Sequence, residues 1–260
     1  MPIVIETISG TPARTAQSTI AFGTASTSNA QFVFGNASML NTVSGSYVRV
    51  NNAPSLNFGT SQFTFEFRYR SIANSASFPS IMNNFDGTTT SWGPNSWTVQ
   101  ERRTGTNTWF FWVNNFNSGS PLLTSNVTVA ANTWYSFAVQ RHANNVFQMY
   151  VNGNLASSAS YSGSIDNNSN RSVFFSQPNP QGFINGYLDE IRISNVARYT
   201  TNYTPATAPF VNDGNTVLLL HCDGANGANL FPDDAGAVFS SSGITMTTGA
   251  DGVTFANINI

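Results

Sequence analysis

The longest strict alternation of apolar and polar positions runs from Phe63 to Arg70. Phe63, Phe65, Phe67 and Tyr69 fall on one face, and Thr64, Glu66, Arg68 and Arg70 fall on the other. A period of two over this length predicts a half-buried antiparallel strand. A second pattern pairs residues 133–141 with residues 145–151 across the polar turn His142-Ala143-Asn144, which predicts a hairpin. The second arm runs into Asn152-Gly153, a type I′ turn signal because both central residues need positive φ. Leu155-Ala156 should begin the returning strand. Shorter strands are expected at Tyr47–Val50, Ser80–Asn83, Trp97–Glu101, Thr108–Val113, Asn126–Val129, Ser172–Ser176 and Tyr187–Ser194. The apolar run Thr216–Cys222 reads as a central strand. Gly, Asn, Ser and Pro clusters separate these segments at the spacing of a sandwich or jelly roll. No window keeps a 3.6-residue period, although residues 195–199 have room for one helical turn. The expected fold is all-β, a two-sheet antiparallel jelly-roll sandwich.

Composition shifts attention from charge to neutral polarity. Only 8% of the 260 residues are charged, and every one of the ten basic residues is arginine. The formal net charge is −2, which argues against a nucleic-acid binder with its basic stripe. Polarity comes from 33 Asn, 31 Ser and 28 Thr, while 13% aromatic residues supply ample surface to bury and argue against disorder. The single cysteine, Cys222, has no partner for a disulfide and no metal-ligand spacing, and is expected as a buried thiol. The opening Met1-Pro2-Ile3-Val4-Ile5-Glu6 has no basic n-region and no apolar h-region. No apolar run approaches the roughly 18 residues that span a bilayer. The expectation is synthesis in the cytoplasm without export or membrane insertion.

Four segments then carry a resemblance. They are Gly45-Ser46-Tyr47-Val48-Arg49-Val50, the stretch Phe58 to Phe67, Asn132-Thr133-Trp134-Tyr135 with Met149-Tyr150-Val151-Asn152-Gly153, and Gly186-Tyr187-Leu188-Asp189-Glu190-Ile191-Arg192-Ile193-Ser194. In this order they resemble the laminin-G-like, concanavalin A-like lectin superfamily, which implies the same two-sheet jelly roll over residues 30–222. Residues 195–205 and Val217-Leu218-Leu219-Leu220-His221-Cys222-Asp223-Gly224 are similar to repeats of bacteriophage virion proteins. That likeness implies a tail, fibre or capsid-decorating component. Residues 1–29 then read as an N-terminal arm and 223–260 as a C-terminal extension. The Leu-rich strand either closes its own sandwich or is donated to a neighbouring subunit.

Candidate chemistry is sparse. Hydrolases of this fold carry a Glu-x-Asp-x-x-Glu strand, and nothing here matches it. Asp189 and Glu190 are adjacent, so strand alternation would point them to opposite faces; an ion pair or turn cap near Arg192 is the expected role. His142 and His221 lack a nucleophile motif beside them. Calcium, which takes six to eight oxygens, is the one cofactor the resemblance implies. Asn83-Asn84-Phe85-Asp86-Gly87 and Asp166-Asn167-Asn168-Ser169-Asn170 are oxygen-rich loops, each with a single carboxylate. Asn83, Asp86 and Trp92 are the candidate ligand-binding residues, with Trp92 available to stack on a sugar ring. Trp109-Phe110-Phe111-Trp112 puts one pair of rings on each face of its strand, so one pair needs a loop, partner or ligand to cover it. The leading expectation is a non-enzymatic virion structural protein whose partners are other virion proteins, copies of itself and a host-surface glycan. The alternatives are a carbohydrate-binding lectin-type module and, behind it, a glycosidase or lyase.

Overall fold

A computed structural model describes residues 16–51, 54–72, 78–84, 96–103, 107–113, 120–165, 172–177 and 182–236. In chain order its strands are β1 (Thr19–Phe22), β2 (Ser26–Ser28), β3 (Ser38–Asn41), β4 (Tyr47–Val50) and β5 (Phe63–Ser71). Next come β6 (Ser80–Asn83), β7 (Trp97–Arg102), β8 (Thr108–Val113), β9 (Leu123–Thr128) and β10 (Trp134–Arg141). The last are β11 (Val146–Val151), β12 (Asn154–Ser160), β13 (Val173–Phe175), β14 (Gly186–Ser194) and β15 (Thr216–Leu220). Among the described residues the one helical segment is a 3₁₀ turn at Pro54–Leu56; residues 195–199 form no helical turn. One sheet has the order β1-β4-β13-β6-β7-β8-β9. The other has the order β12-β11-β10-β5-β14-β3-β2, with β15 paired to β14. All pairings are antiparallel, and the two sheets make the expected jelly-roll-like sandwich.

The β5 alternation does what its period demands. Phe63, Phe65, Phe67 and Tyr69 are buried between the sheets, where aromatic stacking couples the two layers. Phe65 stacks on Trp97 of the opposite sheet at 4.4 Å, and Trp109 lies 4.9 Å from Phe137. Rings of this size contribute both buried area and preferred stacking geometry.

Turns explain part of the asparagine content. The β10–β11 turn has Asn145 at φ 66°, and Asn152 and Gly153 adopt φ 50° and 79° in the next turn. Asn107 and Asn132 are also left-handed, a region that Asn tolerates better than other non-glycine residues.

Residues 16–29, expected as part of an arm, supply β1 and β2. The start of this described region meets its end. The Gln17 amide donates to Asp233 Oδ2 at 2.7 Å, and the Thr19 hydroxyl donates to the Phe231 carbonyl at 2.5 Å. Asp233 Oδ1 accepts from the Leu219 and Ala235 amides. β15 thus lies beside β14 of its own chain, held by a carboxylate staple.

Gly153 is also where the sandwich meets the segment 195–215. Its carbonyl accepts from the Tyr203 amide at 2.8 Å, and a Cβ there would lie 1.9 Å from the Tyr203 carbonyl oxygen. Gly153→Ala is expected to lower stability by about 2 kcal/mol or more, through positive φ and this clash. Gly214→Ala, where a Cβ would meet nothing, should change it by less than about 0.5 kcal/mol. Denaturant midpoints of the two variants check this.

Candidate functional site

The two outer faces of the sandwich differ in kind. On the eight-stranded sheet, the polar side of β5 does not face water: Glu66, Arg68 and Gln140 are buried beneath the strap 195–215. Tyr199 and Tyr203 stack at 3.6 Å, and Tyr150 packs edge-on against both. The Tyr199 hydroxyl donates to Glu66, which also accepts from Arg192 Nε at 2.9 Å. Arg192 lies 4.0 Å from the Phe210 ring centroid, and Arg68 Nη2 donates to the Ala206 carbonyl at 2.5 Å. Gln140 Oε1 accepts from the Arg198 and Tyr199 amides, both at 3.0 Å. Arg198 then forks onto Asp213 with two 2.9 Å bonds. Burial pushes both strap tyrosines up, Tyr203 to about 12, so both remain neutral. A buried carboxylate survives desolvation only with such partners. This face is closed by its own chain.

Asp189 and Glu190 correct the alternation argument. Asp189 opposes Arg68, but the next paired residue, Arg192, opposes Glu66, so β14 carries one extra residue. Glu190 absorbs it with φ 48°. The bulge leaves both carboxylates on the outer side of the sheet while Leu188, Ile191 and Ile193 all enter the core. Asp189 Oδ2 accepts from the Val33 and Phe34 amides at 2.6 and 3.3 Å. Glu190 accepts from the Phe210 amide at 2.7 Å and meets His221 Nδ1 at 2.8 Å. The ion pair is therefore with His221, and Arg192 belongs to Glu66. The expected capping role does apply to Asp189.

The seven-stranded sheet presents a different outer face. Arg49, Phe174, Asn83, Thr98 and Trp112 stand side by side across β4, β13, β6, β7 and β8. A second row holds Ser80, Gln100, Phe110 and Thr124. Asn83, Thr98, Gln100 and Phe174 are buried, whereas Tyr47, Phe22 and Trp112 are half-buried. Asn83 donates to the Ser176 carbonyl at 3.2 Å, and Trp112 Nε1 donates to Gln100 at 3.1 Å. Thr124, Asn126 and Thr128 on the edge strand β9 are exposed. Phe22 and Tyr47 stack at 4.6 Å on the other edge. Trp109 and Phe111 take the core side of β8, leaving Phe110 and Trp112 on this face as the alternation predicted.

Of the sequence candidates, Asn83 lies in the centre of this face, while Asp86, Trp92 and Asp166 fall outside the described residues. Their flanks share one end of the sandwich. Asn84 Oδ1 accepts from the Trp97 amide at 2.6 Å, which clamps the two sides of segment 85–95. The Ile165 amide donates to the Gly59 carbonyl at 3.0 Å, beside the start of β5, and Phe65 stacks on Trp97 at that same end. Sequence reasoning passed over Gln100, Thr124, Asn126 and Thr128, because single neutral polars in so Asn- and Thr-rich a chain carry no contrast. Among the described residues no three His, Cys, Asp or Glu converge as a metal site. Asp189, Asp213, Asp223 and Asp233 are each taken up by amide or guanidinium donors, so these carboxylates do not fit calcium.

The cluster around His221 sets a pH dependence. The Glu190 hydrogen bond raises His221 above 6.5, with Asp234 and Asp223 adding to the effect. Burial raises Asp189 to about 7 against the pull of its amide donors. Both folded-state values exceed the unfolded ones, so each contribution is complete below the unfolded pKa and is lost as pH rises through the folded one. Thermal midpoints should fall by about 3–6 °C between pH 5.5 and pH 8.5. His221→Gln should flatten the upper part of that profile, measured by calorimetry across the same range.

Comparison with known proteins places this geometry. Solved structures of similar fold include the binding domain of Paraclostridial Mosquitocidal Protein 1, with TM-score 0.53, 19% identity, and coverage of 70% of this chain and 45% of that one. A candidate carbohydrate binding protein from Bacteroides ovatus gives TM-score 0.54 and 14% identity over 85% of this chain and 57% of the other. Domain 4 of AbnA, a GH43 extracellular arabinanase from Geobacillus stearothermophilus in complex with arabinotriose, gives 0.51 and 12% over 70% and 83%. The chain thus spans about half the length of the first two of these structures. At such identities the likeness is one of fold. No curated protein matches the sequence significantly. The family model described as concanavalin A-like lectin/glucanases superfamily matches residues 41–202, well over half of the 260 residues, and the sandwich built by those residues agrees with it: the chain belongs to that superfamily.

Proposed function

We propose that this chain is a non-enzymatic carbohydrate-binding module that takes its ligand on the outer face of the seven-stranded sheet. The observation that carries this reading is the asymmetry of the two faces. The strap 195–215 seals the charged face through Tyr199, Arg198 and Phe210. The other face offers half-buried rings beside exposed hydroxyl and amide groups. A ring against which a sugar can lie, with neutral donors and acceptors nearby, is the chemistry a glycan requires. Asn83, being buried, positions the floor of this face; Trp112, half-buried beside Phe110, is the ring that would meet the sugar. The non-enzymatic part is supported by the carboxylates, since Glu66, Asp189 and Glu190 are bound by donors that leave no acid–base pair open to a substrate.

The virion setting expected from the sequence stays compatible with this role, as a module that attaches a particle to a host surface. The residues that carried that likeness, 195–205 and 217–224, form the strap and the β15 edge of the same sandwich.

Calorimetric titration with oligosaccharides tests the proposal. Trp112→Ala and Trp92→Ala should each weaken binding about tenfold or more, the loss of one stacked ring. Binding and thermal midpoint should both be indifferent to calcium or a chelator, because each candidate loop brings a single carboxylate, Asp86 or Asp166. A chelator-induced loss would assign calcium to those loops.

A further inference from the structure

The edge strand β9 contains an irregularity that opens a cavity. Thr108 opposes Thr128, whereas Phe110 opposes Thr124: one residue of β8 between these pairs faces three of β9. The surplus is held rigidly. The Thr108 hydroxyl lies 2.6 Å from the Ser125 carbonyl and 3.1 Å from that of Val127. The Val127 amide donates to Ser125 Oγ at 2.9 Å. One step further, Asn107, left-handed at φ 49°, donates through Nδ2 to the Val129 carbonyl and accepts from the Val129 amide. The bulge is therefore pinned by side chains, and β9 is the last strand of its sheet among the described residues.

The hollow beside it has a volume of about 330 Å³ and is lined by Thr108, Thr124, Ser125, Asn126 and Thr128. Every lining group is an uncharged hydroxyl or amide. Among the described residues no hydrogen bond engages the side chains of Thr124, Asn126 or Thr128, and all three are exposed. The cation nearest in register, Arg102 opposite Thr108, stands over the Phe78 and Phe110 rings. Beyond the hollow, the outer side of β8 runs from Thr108 past Phe110, in register with Thr124, to Trp112. That path is about 13 Å at strand rise, long enough for a short oligosaccharide and not just one ring.

We propose that this β8–β9 groove is a subsite for an uncharged oligosaccharide, with Asn126, Thr124 and Thr128 bonding its hydroxyls and Trp112 stacking on a terminal ring. Hydroxyls and amides both donate and accept, so they match a polyol in either sense. An anionic sugar would find no cation in the lining to compensate its desolvation. The inference rests on the glycan-binding reading above and specifies its ligand class and contacts.

The test uses the full chain, titrated calorimetrically with arabinotriose, cellopentaose, maltopentaose and sialyllactose. The wild type should bind at least one neutral probe and bind sialyllactose at least about tenfold more weakly. Asn126→Ala combined with Thr124→Val should weaken the neutral probe about tenfold or more with an unchanged thermal midpoint, since both positions are exposed. Undiminished neutral binding by the double variant, with Trp112→Ala still defective, overturns the groove and leaves the glycan-binding reading standing. Preference for sialyllactose overturns the uncharged class. Binding of none of the four by the wild type overturns the underlying reading itself.

Discussion

The extra residue in β14 is the constraint around which the eight-stranded sheet is organised. A regular strand would send Leu188 and Ile191 to opposite faces. The bulge at Glu190 brings both inward, and lets the two halves of one strand edge serve different partners. β3 pairs with the half around Leu188, and β15 with the half around Ile193. The residue that absorbs the irregularity is itself buried and charged, so the fold supplies donors for it: the Phe210 amide from the strap and His221 from the end of β15. Sheet pairing, strap docking and strand closure therefore meet at a single side chain.

This coupling explains how so few charges are used. The acidic groups sit where backbone amides or arginines need an acceptor: Glu66 under the strap, Asp189 below the 33–34 loop, Asp233 between the two ends of the described chain. Asparagine takes the left-handed turn positions. What is left for the open face of the other sheet is chiefly hydroxyl, amide and ring, with Arg49 and Arg102 lying over the Phe22 and Phe110 rings. A surface of that kind lacks strong long-range fields, and recognises through short-range contact.

Much of the sandwich was legible in the sequence because burial imposes its period directly. The β5, β10 and β11 segments read as strands on alternation alone, and Asn152-Gly153 announced its own turn. β1, β2 and β3 were not legible: Ser26-Thr27-Ser28 is wholly polar, and Thr19–Phe22 and Ser38–Asn41 set adjacent apolar residues side by side without alternation. The strap was missed for a related reason. Tyr199, Tyr203 and Phe210 cover a sheet without forming an element, so spacing says nothing of their burial. The same holds for the candidate site. Asn83 was singled out from an oxygen-rich loop, yet its place comes from the cross-strand row with Thr98 and Trp112, which only register reveals. The β9 bulge is likewise silent, since Leu123–Thr128 reads as an ordinary strand end shifted by a few residues.

The meeting of Gln17 with Asp233 has a topological consequence. Because the two ends of the described region leave the sandwich side by side, Ala16 being close to Gly236, the unit can be carried by another polypeptide at a single point. Chains whose ends adjoin tolerate insertion into a host loop and circular permutation. New ends could be opened at an exposed turn such as Asn144-Asn145 while the old ones are joined, and the strand order in space would not change.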